Sequence, residues 1–290
     1  MEEKTLRAVD GTGRGESVSS GSMDERKALA QVVEYMKAHW PSPVKPEWQV
    51  TLDDYPAVLE RVINDFTKDK TRGRCFVRIA GLSGSGKTSQ ILPAVEAYVK
   101  EKALRPVLVA ARLFVEYHPY YQEILSEYGE ANLRKMTDEF STIMMFLVLN
   151  YLTKSGFDVV LDVTLLDPAV EQILLGMLKR NRYSAMLLMI ATSPVVTEHF
   201  LGGRGWRHTK ETEAEFIRAT KKALEFYALK APEMRVILWS VYDLLPVYDG
   251  KMAVALGTFE EYSGKTELPA ADDDARRAAK IKYMEEMARK

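Results

Sequence analysis

Arg74-Cys75-Phe76-Val77-Arg78-Ile79-Ala80-Gly81-Leu82-Ser83-Gly84-Ser85-Gly86-Lys87-Thr88 is the stretch whose reading decides the fold. Its second half has the spacing G-x-x-x-x-G-K-[ST], a loop that wraps phosphate. Residues 75–80 are short, apolar and β-branched enough to be a buried strand delivering that loop to the carboxyl edge of a sheet. Gly81, Gly84 and Gly86 free the backbone to curl round an anion and turn its N–H groups inward, with Ser83 and Ser85 between them. Lys87 can then reach the β- and γ-phosphates, while the Thr88 hydroxyl can take Mg²⁺. A helix expected over 89–100, starting at Ser89, places its positive end under the phosphates. The implied ligand is a nucleoside triphosphate, ATP or GTP.

Outward from this unit the chain alternates. Further buried strands are expected at 107–111, 157–162, 185–191 and 234–240. Helices are expected at 121–128, 132–154, 168–182 and 214–229, the third opened by Asp167 as N-cap and Pro168 in the first turn. Strands alternating with helices imply an α/β fold, here a P-loop kinase-type, mostly parallel sheet of about five strands flanked by helices. Ligands bind such sheets at the carboxyl edge.

The ends of the chain read differently. Residues 1–22 mix charges with Gly and Ser and offer no apolar face, so a disordered tail is expected. Residues 23–70 are expected to form a helical extension, with an amphipathic helix at 24–40 and a second at 55–65. The kinase-like core is expected over 71–256, with a turn at Tyr248-Asp249-Gly250-Lys251 and a short strand at 252–256. A linker and terminal helix fill 257–290, and the alternating charges of 274–290 read as a solvated face.

Composition excludes several classes. In 290 residues with a formal net charge of −1, no global field favours nucleic acid or an anionic membrane. The single cysteine, Cys75, rules out an internal disulfide framework and fits a reducing compartment; it reads as a small buried strand residue. No apolar run is long enough to span a membrane, and no basic region precedes an apolar one at the N-terminus. A cytoplasmic location is therefore expected.

A phosphotransferase needs more than a phosphate loop: an acid for the metal or the base role, cations for the transferring charge, and an acceptor surface. Asp162 closes the apolar run Val159-Val160-Leu161, at the tip of a buried strand, where it can hold metal-bound water or accept a proton. Thr164 falls on the same side by strand periodicity. Glu116, two residues before His118-Pro119, is an alternative base if partly buried, and His118 either touches the acceptor or satisfies a loop backbone group. The run 200–210 is glycine-rich and carries Arg204, Arg207 and Lys210, as a lid closing over phosphates would.

In this order, these residues resemble the zeta toxin family of P-loop small-molecule kinases over 74–251. The similarity lies in 81–88, in His118-Pro119, in Leu161-Asp162-Val163-Thr164, in Arg207-His208-Thr209 before an acidic helix, and in Tyr248-Asp249-Gly250. The resemblance implies transfer of phosphate from ATP or GTP to a hydroxyl of UDP-N-acetylglucosamine or another nucleotide-like acceptor. It implies that Lys87 and Thr88 bind phosphate and Mg²⁺, that Asp162 and Thr164 stand at the acceptor, and that Arg207 with Arg204 clamps the transferring group. An antitoxin-like protein partner is also implied.

The chain departs from that pattern at Arg112, six residues before His118, where the family places a catalytic aspartate. An arginine cannot accept a proton. Asp162 also replaces a glutamate, and Leu166 stands where the family can carry an arginine. Either Glu116 or Asp162 is the base, or the acceptor differs, or the chain is a degenerate kinase that binds nucleotide and regulates a partner.

Overall fold

The computed structural model describes residues 30, 33–34, 37–38, 43–82, 84–163, 168–193, 195–197, 210–265, 267–268 and 272–290, and excludes the side chains of 169, 210–214 and 216. Of the helix expected at 24–40, only five residues fall among these; all five are helical, and Val33 is buried in the core. The elements in chain order are α1 (Tyr55–Thr67), β1 (Cys75–Ala80), a π-helical turn (Lys87–Ile91) running into α2 (Leu92–Glu101), and β2 (Val107–Val109). A 3₁₀ helix (Ala111–Tyr117), α3 (Tyr121–Tyr128), α4 (Glu130–Lys154), β3 (Val159–Asp162), α5 (Pro168–Arg180) and β4 (Ser184–Ala191) follow. The chain continues through α6 (Lys210–Lys230), β5 (Arg235–Ser240), β6 (Tyr248–Lys251), α7 (Met252–Ser263) and α8 (Asp273–Arg289).

The strands form one sheet in the order β2-β3-β1-β4-β5-β6, with the first five parallel and β6 antiparallel to β5. The strand carrying the phosphate loop is thus central. The chain runs to one side of it for β2 and β3 and to the other for β4 and β5, which opens a crevice at the carboxyl ends.

Strand periodicity sorts the two faces. Phe76, Val159 and Leu161 point to a layer built from α1, α4 and α5, while Leu187, Met189, Val236 and Leu238 of the same face meet α6 and α7. Val77, Ile79, Val160, Leu188, Ile237 and Trp239 point the other way, against α2 and α8. Helix α4 is the main pillar of the first layer; Gly129, at φ +73°, separates it from α3 in a backbone conformation that L side chains rarely adopt.

Three expectations are corrected. Residues 248–251 are an edge strand rather than a turn, because β5 supplies ladder partners from Leu238 to Arg235. Residues 252–256 open α7 rather than forming a strand; the apolar run Met252-Ala253-Val254-Ala255-Leu256 has no period to choose by, and Met252, Ala255 and Phe259 bury one helical face. The terminal helix α8 is not a solvated face. It closes the second layer with Met284 and Met287 against Trp239 and Val77, and even Arg276 and Lys280 are buried. Each fully buried methionine is worth about 1.5–3 kcal/mol, so the charge pattern was outweighed by a few apolar positions.

Candidate active site

The phosphate loop is built by its glycines. Gly81, Gly84 and Gly86 all have positive φ, at 147°, 79° and 92°. A Cβ on Gly81 would lie 2.8 Å from Ser85 Oγ and 3.2 Å from the Ile190 carbonyl, so this position requires both the backbone freedom and the missing side chain. The first turn after the loop is π-helical, which widens it at the point where phosphates would lie; Gln90 N–H donates to the Gly86 carbonyl at 2.8 Å. Lys87 Nζ donates to the carbonyls of Gly81 and Leu82 at 2.8 and 2.9 Å, folding the ammonium back over the loop. Thr88 and Ser89 are exposed, and Ser85 is buried under the loop with a hydroxyl that has no hydrogen-bond partner among the described residues.

Asp162 stands beside this loop because β3 pairs in parallel with β1, Ile79 opposite Asp162. Its carboxylate is buried and accepts a hydrogen bond from Arg112 Nη1 at 2.7 Å. Arg112 comes from the 3₁₀ helix after β2, and its guanidinium remains partly open to solvent. Arg134, on α4, completes the charged group. Burial lowers the Lys87 ammonium to a pKa of about 8; the Asp162 carboxylate opposes that shift, and Arg112 and Arg134 add to it. Three cations and one carboxylate therefore share the carboxyl edge, a field suited to a polyphosphate.

The other sequence candidates are placed less evenly. Glu116 is exposed on the 3₁₀ helix, so the partial burial expected to tune it is absent. His118 is buried: its Nδ1 accepts the Tyr120 N–H at 3.1 Å, and its ring lies edge-on to Phe140 at 4.7 Å. Burial lowers it to about 4, so it is neutral at pH 7 and braces the loop. Cys75 is half-buried, and burial pushes its thiol up to about 11. Ser83, Thr164, Arg204 and Arg207 lie outside the described residues. Sequence reading missed Arg134, whose only local signal is a cation in the first turns of a long helix.

Among the described residues there is no group of three or more His, Cys, Asp or Glu side chains that could hold a metal ion. Mg²⁺ in such loops is held by one or two protein oxygens, with phosphate and water completing the shell. The Thr88 hydroxyl and Asp162 carboxylate are hard oxygen donors of that kind.

Lys87 also carries a measurable signature. A phosphate beside the ammonium stabilises its charged form and raises its pKa, so nucleotide binding above about pH 8 must take up a proton. Affinity is expected to be flat for this group below about pH 7 and to weaken by about tenfold per pH unit above 8. Calorimetry at about pH 8.5 in two buffers of different ionisation heat should give different binding heats, and Lys87→Met should remove the difference.

A central parallel strand feeding a glycine-rich phosphate loop, with cations and a buried carboxylate at the same edge, defines a P-loop protein of the nucleotide-dependent kinase type. The zeta toxin family model matches residues 62–236, more than half of the chain. The chain belongs to the zeta toxin family. The toxin PezT of Streptococcus pneumoniae is 25% identical over 148 residues, which cover 50% of this chain and 56% of PezT. The chain therefore spans little more than half the length of that curated relative. A solved structure from the PezAT chromosomal toxin–antitoxin system of the same organism superposes with a TM-score of 0.62 at 20% identity, covering 82% of this chain and 99% of that one. That likeness concerns the fold.

Proposed function

We propose that this chain is a phosphotransferase that moves the γ-phosphate of ATP or GTP, with Mg²⁺, to a hydroxyl of a small nucleotide-like or sugar-nucleotide metabolite. The observation that carries the reading is the convergence of Lys87, Asp162, Arg112 and Arg134 at one edge of the sheet. The loop amides of 81–88 hold the donor phosphates, and Lys87 swings from its two carbonyls to the β- and γ-oxygens. Mg²⁺, held by Thr88 with Asp162 beside it, supplies neutralising charge when bound. Thr164 is assigned to the acceptor side, with Arg204 and Arg207 closing over the transferring group, while the buried His118 holds the neighbouring loop in place. The Arg112–Asp162 pair fixes the carboxylate's orientation and offers an anionic acceptor a cation. Cytoplasmic nucleotide pools are the proposed setting. The PezAT system suggests an antitoxin-like protein as a partner.

A second reading has one observation in its favour. Arg112, where the family resemblance expects an aspartate, occupies one oxygen of Asp162, as in a site that binds nucleotide to hold a conformation for a partner. The two readings separate in one experiment. With γ-labelled ATP and a metabolite extract, the phosphotransferase reading expects label in a small-molecule phosphoester. The alternative expects ATP to raise the melting temperature by mass action while no metabolite gains label.

A further inference from the structure

Helix α8 reaches the phosphate loop from the far end of the chain. The link begins at Gln90, 6% exposed, in the π-helical turn that follows the loop. Its side chain packs against Gly86: a Cβ on that glycine would stand 3.4 Å from Gln90 Cδ and 3.5 Å from its Cγ and Nε2. Gln90 Nε2 donates to Asp273 Oδ1 at 3.1 Å, across 183 positions of sequence. Gln90 Oε1 is buried with no hydrogen-bond partner among the described residues, so among them Asp273 alone fixes the amide.

The carboxylate at the other end of this bond is itself held. The same Asp273 oxygen accepts from Arg276 Nη2 at 2.6 Å, and Arg276 is 5% exposed. A buried cation of the same helix therefore aims a carboxylate that is otherwise open to solvent. Helix α8 is fastened along its length. Asp272 caps its start by accepting the Ala275 N–H at 2.9 Å, and Met284 and Met287 sit in the layer with Val77 and Trp239. At its end Arg289 Nη2 donates to Glu101 Oε1 of α2 at 2.8 Å.

We propose that Gln90 and Asp273 are positioning residues for nucleotide, so that α8 is a brace for the phosphate loop. The inference rests on nucleotide binding at that loop and does not require transfer. A π-helical turn is a rare conformation, found mostly as single turns at functional sites. Here it sets the width of the loop beside Gly86, Lys87 and Thr88. Without Asp273 the Gln90 amide is buried and unsatisfied, which favours a turned side chain and a shifted Gly86. The loop amides and Lys87 then lose their alignment on the phosphates, although neither Gln90 nor Asp273 touches the ligand.

The test is calorimetric titration of the full chain with ATP and, in parallel, GTP, each with Mg²⁺. Asp273→Ala and Gln90→Met are each expected to weaken affinity by about tenfold, the scale of one charge-assisted hydrogen bond. Because the two act through one bond, the double variant should bind no more weakly than either single one. Asp273→Asn keeps an acceptor oxygen for Gln90 Nε2 and is expected to stay within about threefold of wild type. Asp274→Ala removes an exposed acid from the same helical turn, with its Arg277 pair, and should leave affinity unchanged. Affinities within about twofold of wild type in both single variants, losses that add in the double variant, an Asn variant as weak as the Ala variant, or an equal loss in Asp274→Ala would each overturn the assignment. Wild type that binds neither nucleotide would remove the nucleotide reading, and the brace with it.

Discussion

Replacing Lys87 with alanine is expected to lower phosphoryl transfer by about 10³-fold, the scale for removing one preorganised donor from a charge-developing site. The argument is electrostatic. In the transition state charge spreads over the equatorial γ-oxygens, and Lys87 is the cation that the loop itself carries to them. Arg112 cannot substitute, because its guanidinium is bonded to the buried Asp162 carboxylate. Loss of the side chain frees only two carbonyls, those of Gly81 and Leu82, which water can reach once the ammonium is gone. The fold should therefore survive, with a melting temperature close to wild type. A rate within tenfold of wild type would mean that Lys87 does not neutralise the transferring phosphate.

The largest stability effect is expected at Glu171→Ala. Arg78 lies in the middle of the central strand, 4% exposed, and Glu171 on α5 is 1% exposed. Arg78 Nη2 donates to Glu171 Oε1 at 2.8 Å and Arg78 Nη1 to Glu171 Oε2. The Tyr227 hydroxyl of α6 donates to Glu171 Oε2 at 2.7 Å and accepts from Arg78 Nη1 at 3.2 Å. The arginine cannot escape by losing its proton. Removing the carboxylate leaves a charge buried without its counter-ion, at a cost of about 3–5 kcal/mol. In a chain of this size that is a fall of roughly 6–20 °C in melting temperature. The double change Arg78→Met with Glu171→Leu removes both charges and should recover most of the loss. Urea unfolding of the three variants checks this; a single-variant loss below about 1 kcal/mol would show that water or another group compensates Arg78.

The Arg78 network also shows where local reading stops. The strand 75–80 and the loop after it were legible because their signals are contiguous: β-branched residues, glycines at positions needing positive φ, then lysine and threonine. The buried counter-ion of Arg78 lies 93 positions away on a helix, and no short-range pattern connects the two. The same holds for α8, whose charges spoke locally for solvent while Met284 and Met287 were claimed by the far face of the sheet. Strand β6 exists because β5 offers it a ladder, although Tyr248-Asp249-Gly250-Lys251 has turn composition. At the site, Asp162 was legible as a strand-end acid, whereas its bond to Arg112 depends on the pairing of β2 with β3. Arg134 was hidden in a helix whose sequence signal is dominated by its apolar core.

The central claim is that this chain transfers phosphate rather than only binding or hydrolysing nucleotide. The most direct measurement is the balance between nucleoside diphosphate released and small-molecule phosphoester gained, followed by phosphorus NMR in a metabolite extract with Mg²⁺. Equal amounts of diphosphate and new phosphoester, both lost in Lys87→Ala, are the expected result. Diphosphate accompanied only by inorganic phosphate, or no turnover of bound nucleotide, would contradict it.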